Sequence, residues 1–266
     1  MDKIEILRKW VNESHNIVAF TGAGVSTESG VKDFRSKDGL YSETWRPNDS
    51  VSTESGVPDF RSVDGLYSQK FEYPPETIIS HSFYLRNPEY FFRFYREKMM
   101  PMDVEPNITH KTLARWEQEG KLLAVVTQNI DGLHQKAGSR HVYELHGSIL
   151  RNYCTCCGKF YPAAFVKNRN DVPRCDCGGI VKPDVVLYEE GLDEKTVEGA
   201  VNAIARADLL LVAGTSLTVY PAAGFLRYYR GNRLVLINRD PTPYDDRADL
   251  VFHESLGKVL AELRDI

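Results

Sequence analysis

Residues 16–24 read NIVAFTGAG, a continuous apolar run from Ile17 to Phe20 that leads straight into the turn Gly22-Ala23-Gly24. Three later apolar runs have the same form, and each ends in small or polar residues. They are LLAVV at 122–126 before Thr127-Gln128-Asn129, LLLVA at 209–213 before Gly214-Thr215-Ser216, and LVLI at 234–237 before Asn238-Arg239-Asp240. Strands buried on both faces, as in parallel sheets, carry such unbroken apolar runs. The sequence therefore predicts an α/β fold built on a parallel sheet.

The polar ends of these four runs predict a ligand site. In open parallel sheets, ligands bind in the crevice outside the carboxyl ends of the strands. Four such ends would converge on one crevice if the runs are neighbouring strands. The alternative for any one of them is an ordinary connecting loop.

The turn Gly22-Ala23-Gly24 is typical of an anion-binding turn. Backbone N–H groups at the start of a helix attract phosphate, and glycine lets a ligand approach closely. The spacing differs from GxGxxG, because the next glycine is Gly30. Asp33-Phe34-Arg35 follows, and an aromatic ring beside an arginine suits a flat ring and a phosphate. The same triplet is also consistent with a packed phenylalanine between solvated charges.

A repeat follows the glycine turn. Residues 25–42 and 51–68 differ only at Lys32 against Pro58 and at Lys37 against Val63. We interpret this as a local tandem duplication, because a solenoid would need several repeats. Two arrangements remain open. Either the first copy fills the site next to the turn, which we favour, or the second copy supplies the later residues of the site.

The five cysteines lie between residues 154 and 177 and predict a metal site. Two close pairs, Cys154 with Cys157 and Cys175 with Cys177, have the spacing of four tetrahedral thiolate ligands of zinc. Four thiolates leave no open coordination position, so the ion would be structural. Cys156 is the spare thiol. Free thiols and an iron–sulfur cluster are the alternatives.

His146, in the string Leu145-His146-Gly147, comes directly before this cysteine-containing segment. That position, between two parts of the chain, is where crevices form, and histidine suits general-base catalysis near neutral pH. A structural or surface histidine is the alternative. The aromatic-rich stretch 77–119 predicts helices whose rings pack in a core, and residues 2–14 predict an amphipathic helix.

Composition excludes several classes of partner. Charged residues make up 26% of 266 residues and the net charge is −4, whereas a nucleic-acid surface needs clustered basic residues. No apolar stretch reaches the ~18 residues of a membrane span, and the N-terminus lacks the features of a signal peptide. The clustered cysteines also differ from a secreted disulfide framework. We therefore expect a cytoplasmic protein with no membrane association and no direct nucleic-acid binding.

Taken together, these strings resemble the sirtuin family of NAD-dependent protein deacylases, in its bacterial form. The similarity runs in order through nearly the whole chain. The strings are Gly22-Ala23-Gly24 with Ser26 and Ser29-Gly30, Asp33-Phe34-Arg35, Thr127-Gln128-Asn129-Ile130-Asp131, Leu145-His146-Gly147, the two cysteine pairs, Lys182-Pro183-Asp184-Val185-Val186, Gly214-Thr215-Ser216 and Asn238.

The resemblance implies a Rossmann-like large domain from residues 1–30, 111–146 and 183–266. It also implies a smaller part made of a cofactor loop and helical module, 31–110, and a zinc-binding module, 147–182. NAD and structural zinc are the implied cofactors. The implied NAD-binding residues are Gly22, Ala23, Gly24, Thr27, Asp33, Phe34, Arg35, Gln128, Asn129, Ile130, Asp131, His146, Gly214, Thr215, Ser216, Asn238 and Leu256. An acetyl-lysine peptide would pair with a strand formed by Val185, Val186, Leu187 and Tyr188.

The implied reaction is lysine deacetylation with transfer of the acetyl group to ADP-ribose and release of nicotinamide. His146 would act as the base, and Asn129 and Asp131 would orient nicotinamide and ribose. Two departures bear on this expectation. Lys32 stands where the family usually has proline, which loosens the turn, and Tyr95-Arg96-Glu97-Lys98 lacks the arginine of the Tyr-x-x-Arg motif of desuccinylating members. We expect small uncharged acyl groups and a monomer; an ADP-ribosyltransferase and an inactive NAD-binding module are the alternatives.

Overall fold

The computed structural model describes residues 2–33 and 71–263. In chain order the strands are β1 (Ile17–Thr21), β2 (Leu122–Thr127), β3 (Val142–Glu144), β4 (Gly147–Cys154), β5 (Phe160–Pro162), β6 (Val181–Val185), β7 (Leu209–Ala213), β8 (Leu234–Ile237) and β9 (Leu250–Phe252). Six of them form a sheet in the order β3-β2-β1-β7-β8-β9, with each neighbouring pair parallel. The other three form an antiparallel sheet in the order β5-β4-β6. The predicted α/β fold with a parallel sheet is confirmed.

Short helices connect the strands. The α-helices are α1 (Lys3–Glu13), α2 (Gly24–Thr27), α3 (Pro75–Ile78), α4 (His81–Arg86), α5 (Pro88–Phe94), α6 (Ile108–Gln118), α7 (Leu133–Ala137), α8 (Ala163–Lys167), α9 (Glu194–Arg206) and α10 (Leu256–Ala261). A π-helical turn covers Tyr95–Met99, and 3-10 helices cover Ala222–Tyr228 and Asp245–Arg247.

Helix α1 forms where the pattern predicted it. Asp2 precedes it as the N-cap, and the Glu5 carboxylate accepts the Asp2 N–H at 3.3 Å, which is one half of a capping box. Leu7 and Val11, four residues apart and therefore on one face, are buried. The helix thus begins at a polar cap and is held against the sheet by its apolar face.

The parallel sheet is buried on both faces, because alternate residues of each strand point to opposite sides. One face carries Ile17 and Ala19 of β1 and packs against α1, α6 and α10. The other face carries Val18 and Phe20 and packs against α9 and the 3-10 helix Ala222–Tyr228. Every residue of β1, β7 and β8 is buried, as the unbroken apolar runs predicted.

A second core holds the helical and cysteine-containing segments together. The aromatic side chains of α4, α5 and the π-helical turn pack in the same cluster as Val181, Cys154 and Cys175. Of the seven aromatic residues between Phe83 and Tyr95, six are buried, and the seventh, Tyr90, packs against the cluster while partly exposed. The predicted helical stretch is interrupted at residues 100–107, where Pro101 and Pro106 lack the N–H that a helix needs. Among the described residues this small lobe has one core.

Two of the predicted domain boundaries fall inside elements. The boundary after residue 110 lies within α6, which begins earlier because the Asn107 side chain accepts from the Thr109 and His110 N–H groups as an N-cap. The boundary after residue 182 lies within β6, which continues to Val185 because it pairs with β4 as far as Gly147. The division itself stays a prediction. In residues 2–33 and 71–263 there is no helix long and apolar enough to span a membrane.

Candidate active site

Two adjoining cavities lie beyond the carboxyl ends of the parallel strands. The larger, about 440 Å³, is lined by residues that follow four of those strands: Gly22 after β1, Gln128 after β2, Gly214 after β7 and Asn238 after β8. The smaller, about 250 Å³, shares Ala23, Met99, Asn129 and Ile130 with it. The four polar strand ends therefore meet at one crevice, as the sequence predicted.

The glycine turn is packed against the turn after β7. A Cβ atom on Gly24 would lie 2.8 Å from the Gly214 Cα atom, and one on Gly22 would lie 2.7 Å from the Thr215 Cβ atom. Backbone N–H groups of the turn are largely used within the protein: Gly24 N–H donates to the Gly214 carbonyl, and Val25 and Ser26 N–H donate to residues 22 and 23. Among the described residues, Ala23 has the one N–H of 22–26 with no backbone partner. The glycines thus allow the two turns to pack closely. Of the backbone N–H groups of 22–26, that of Ala23 is the one left to contact an anion.

Of the predicted residues that follow the turn, Asp33 lines the larger cavity and Thr27 does not. Thr27 lines neither cavity, and its hydroxyl donates to the Gly24 carbonyl oxygen at 2.9 Å within the single turn α2. Phe34 and Arg35 lie outside the described residues, as does the second repeat copy. Their assignment to NAD binding stays a prediction.

A polar network surrounds the smaller cavity. The Ser26 hydroxyl donates to the Asp131 Oδ2 atom at 2.7 Å and accepts from the Asn129 Nδ2 atom at 3.1 Å. Asp131 Oδ1 accepts the Leu133 N–H at 2.9 Å. Burial raises the pKa of Asp131, while the hydrogen bonds from Leu133 and Ser26 act in the opposite direction. Asn129 and Asp131 are therefore held in fixed orientations toward the cavity they line.

Ser26 was not among the predicted site residues. Its position between the glycine turn and Asp131 depends on the parallel pairing of β1 with β2, which sets Thr21 beside Thr127. The sequence carried one signal for it, since Ser26 belongs to the string that follows the glycine turn. That signal gives no indication of its partners.

His146 lines the larger cavity and is held by the backbone. Its Nδ1 atom lies 2.9 Å from the Gln128 carbonyl oxygen, which can only accept, so Nδ1 carries the proton in this hydrogen bond. Burial lowers the pKa of His146, while the hydrogen bond to Gln128 partly raises it. The imidazole is consequently neutral near pH 7, and its Nε2 atom holds the free lone pair.

The remaining predicted NAD residues line the larger cavity, with one exception. Thr215 Oγ1 accepts from Gln128 Nε2 at 3.1 Å, and the Asn238 Nδ2 atom donates to the Asp240 carbonyl at 2.7 Å. Gly214, Ser216 and Asn238 also line the cavity. Leu256 lines neither cavity, because its side chain is 4% exposed and packs in the sheet core at the start of α10.

The segment expected to pair with a peptide lines the same cavity. Strand β6 ends at Val185, and residues 186–188 follow it outside the sheet, with Tyr188 in an isolated parallel bridge to Ser80. The Val186 N–H donates to the His146 carbonyl at 3.0 Å, which places the segment directly beside the histidine. The Tyr188 N–H donates to the Ile79 carbonyl at 3.1 Å, so the segment also contacts the helical part of the small lobe.

The four predicted zinc ligands lie together. Their Sγ atoms are within 4.8 Å of one another, with Cys154 to Cys177 at 3.4 Å and Cys157 to Cys175 at 3.6 Å. A tetrahedral site with Zn–S bonds of about 2.3 Å needs S···S distances of roughly 3.8 Å. All five cysteines are free thiols, and Cys156 is exposed and outside the group. The donor set therefore fits one structural zinc ion, which would join the β4–β5 turn to the segment before β6.

Comparison with known proteins identifies the family. The Sir2 family model matches residues 22–48 and 49–221, well over half of the chain. The chain belongs to the Sir2 family. The break between the two matched segments lies in the stretch that separates the repeat copies, but the interpretation as a duplication stays a prediction. The predicted sirtuin membership is confirmed.

Relatives of this Sir2-family chain cover its whole length. A protein of Clostridium acetobutylicum named NAD-dependent protein deacetylase is 54% identical over 98% of this chain and 97% of its own. One of Clostridium perfringens with the same name is 50% identical over 99% of both chains. A solved structure of Sir2 with a p53 peptide and NAD+ is 35% identical, with a TM-score of 0.78 over 99% of this chain and 97% of that one. The predicted enzyme class, NAD-dependent protein deacetylase, is confirmed.

Proposed function

We propose that this Sir2-family enzyme removes acetyl groups from protein lysine side chains, transfers them to the ADP-ribose part of NAD and releases nicotinamide. The observation that carries the proposal is the protonation state of the His146 imidazole and the position of its free nitrogen. Its Nδ1–H is committed to the Gln128 carbonyl, so that a neutral imidazole offers its other nitrogen in the wall of the larger cavity. Such a group is a base ready to act near neutral pH.

The two adjoining cavities have polar groups that could bind the two halves of NAD. The polar network of Ser26, Asn129 and Asp131 beside the smaller cavity supports binding of the nicotinamide amide and its ribose. Thr215, Ser216 and Asn238 line the larger cavity and support binding of the adenosine part. NAD supplies the leaving group and the ribose that receives the acetyl group. When NAD is bound, His146 would take a proton from a ribose hydroxyl, and one water molecule would complete the acetyl transfer.

Asn129 and Asp131 act as orienting groups. Both side chains are fixed by Ser26, so neither needs to be ordered when the ligand binds. Preorganised polar groups contribute to catalysis because they cost little reorganisation during the reaction. Met99 and Ile149 line the same small cavity and would keep water away from the reacting atoms.

The peptide would lie along residues 185–189. Pairing through backbone groups gives affinity with little dependence on side chains. The solved structure of Sir2 with a p53 peptide and NAD+ supports a peptide as the partner here. Small uncharged acyl groups, a monomeric state, a cytoplasmic location and the absence of direct nucleic-acid binding stay predictions.

An assay with NAD and an acetyl-lysine peptide tests the proposal. Nicotinamide and peptide mass are followed together. We expect nicotinamide release that requires the peptide and loss of one acetyl group per nicotinamide. Release with ADP-ribose attached to protein would instead mean an ADP-ribosyltransferase. NAD binding without release in the presence of several acetylated peptides would mean an inactive binding module.

A further inference from the structure

Glu189 has an unusual backbone conformation at the edge of the larger cavity. Its φ angle is 76°, in the left-handed region that favours glycine. It follows directly on the segment that we propose to lie beside the peptide, and it lines the cavity itself. A glutamate in this conformation costs energy that a glycine would not, and side-chain contacts of Glu189 offset this cost.

The Glu189 side chain is held toward the helical part of the small lobe. Its carboxylate accepts from the Ser82 N–H at 2.8 Å and from the Ser82 hydroxyl at 3.0 Å. Tyr188, the residue before it, is also held toward the helical part of the small lobe, because the His81 N–H donates to the Tyr188 carbonyl at 2.9 Å. These bonds offset the backbone strain and give the carboxylate a fixed position. A carboxylate offers about four acceptor sites, so two remain for another donor.

Backbone hydrogen bonds indicate where a peptide would run. The N–H groups of Val186, Leu187 and Tyr188 donate to His146, the Glu190 carboxylate and Ile79 respectively. Within the part of the chain that the structure describes, the Val186 carbonyl and the Glu189 N–H have no partner. Those two groups remain available to pair with a substrate backbone, which would then pass directly beside Glu189.

The neighbouring carboxylate is neutralised, whereas that of Glu189 is not. Glu190 pairs with Lys182 at 3.1 Å and with the His81 Nδ1 atom at 2.7 Å. In residues 2–33 and 71–263 no Lys, Arg or His pairs with Glu189, which is exposed. Besides Glu189, the described lining of the larger cavity includes Asp240 and no Lys or Arg. The Glu189 carboxylate therefore presents a negative charge at a fixed position to a peptide bound along residues 185–189.

We propose that Glu189 is a specificity-determining residue that favours acetyl-lysine peptides carrying a lysine or arginine close to the acetylated position. This inference rests on the proposed deacetylase function. The charge acts on substrate binding, so it lowers KM and leaves kcat nearly unchanged. An exposed ion pair of this kind accounts for about a fivefold preference, which shrinks as salt screens it.

Steady-state kinetics with a peptide set test the inference. Peptides carry one Lys, Gln or Glu at each position within two residues of the acetyl-lysine and are otherwise neutral. At low salt we expect kcat/KM for the best Lys peptide to exceed that for its Gln counterpart about fivefold, through KM. In Glu189→Gln the ratio should fall to about one. Glu189→Gly removes the charge, the two bonds to Ser82 and the backbone strain together, so it should lose the preference while folding about as well as the wild type.

Glu198→Gln is the matched control. It makes the same charge change on an exposed residue of α9 that does not line the cavity, and it should keep the fivefold ratio. An unchanged ratio in Glu189→Gln would overturn the inference, as would turnover of the Gln peptide with no preference for Lys in the wild type. Both results leave the deacetylase function standing. Absence of peptide-dependent nicotinamide release with every peptide would instead remove the proposed function, and this inference with it.

Discussion

The cysteine cluster and the crevice are both sets of polar groups brought together by folding, but their residues differ in how far apart they lie along the chain. The four cysteines lie within residues 154–177 and meet across two neighbouring turns. The crevice draws on residues from Gly22 to Asn238, each at the end of a different strand. The cluster can form from a short segment and its metal, whereas the crevice exists only when the whole parallel sheet has formed. Damage to the two regions should therefore have different consequences.

Loss of a zinc ligand should have the largest effect. Zinc binding contributes about 10–16 kcal/mol in small zinc-finger peptides, which matches or exceeds the stability of a typical domain. Cys175 is buried in the core of the small lobe, which also contains the cavity residues Ile79 and Leu187. Cys175→Ala should therefore lose zinc, unfold the small lobe and abolish deacetylation. Metal analysis, circular dichroism and the nicotinamide assay measure the three effects.

Cys156→Ala provides the comparison for that variant. Cys156 is an exposed thiol outside the ligand group, so this variant should keep zinc, fold and activity. A Cys175→Ala protein that lacks zinc but retains normal turnover would contradict the structural role of the metal. Equal damage from both variants would mean that the ligand set had been assigned wrongly.

Loss of the base should affect activity alone. General-base catalysis contributes about 10²–10⁴-fold, so His146→Ala should lower kcat by that factor. The melting temperature and zinc content should stay close to those of the wild type, because the side chain makes one hydrogen bond at the cavity wall. NAD binding, measured by calorimetry, should largely remain.

The exposed His15 offers a control, since His15→Ala makes the same change far from the crevice. Unchanged kcat in His146→Ala would contradict the assignment of the base. A large fall in melting temperature would mean that His146 supports the fold, and the contrast with the cysteines would then be lost.

The same contrast explains which features were predictable. The cysteine group followed from spacing, and the sheet followed from the apolar runs of β1, β2, β7 and β8, because both signals are local. The contact between Ser26 and Asp131 is not local. It depends on the register of β1 with β2 and on the packing of Gly24 against Gly214, neither of which has a sequence pattern.

Two further features required the three-dimensional structure for the same reason. Leu256 matched a predicted NAD contact by its position in the chain, yet its side chain faces the core, because α10 packs its apolar side on the sheet. The left-handed conformation of Glu189 has no sequence signal, since glycine is the residue that usually marks it. The parallel sheet and the cysteine cluster could therefore be predicted from local patterns, whereas the orientation of single side chains required the structure.

Removal of the Ser26 hydroxyl should have an intermediate effect confined to the crevice. Ser26→Ala leaves Asp131 without one donor and Asn129 without one acceptor. An unsatisfied buried polar group costs about 1–3 kcal/mol, and a loss of that size in transition-state stabilisation would lower kcat/KM by about 5- to 150-fold. The pKa of Asp131 should rise further, because a hydrogen bond that lowers it is lost. Ser29→Ala is the matched control, as the Ser29 hydroxyl is buried with no hydrogen-bond partner among the described residues. Equal losses in both variants would contradict the role of the network.

The smallest effect is expected from mild acidification, and it separates catalysis from stability. Burial lowers the pKa of His146 below its ordinary value of 6.5. More than half of the base therefore stays unprotonated down to pH 6.5, and the midpoint of the decline in kcat/KM should lie below pH 6.5. A decline with its midpoint above pH 6.5 would mean that His146 is not the titrating base or is more exposed than the geometry indicates.

Stability should respond to acid through a different pair of histidines. His110 and His134 are buried with ring centroids 4.8 Å apart, and burial lowers their pKa values to about 4 and about 3. Below pH 6.5 the unfolded chain takes up protons at these positions, while the folded chain does so only near the lowered values. Each histidine therefore removes up to about 1.4 kcal/mol of stability per pH unit between 6.5 and its own lowered pKa. Melting curves should thus shift to lower temperature over a pH range in which a short assay at 25 °C still reports the His146 titration alone. In His134→Gln this shift should be smaller; an equal shift would assign the acid sensitivity to other groups, among them the zinc thiolates.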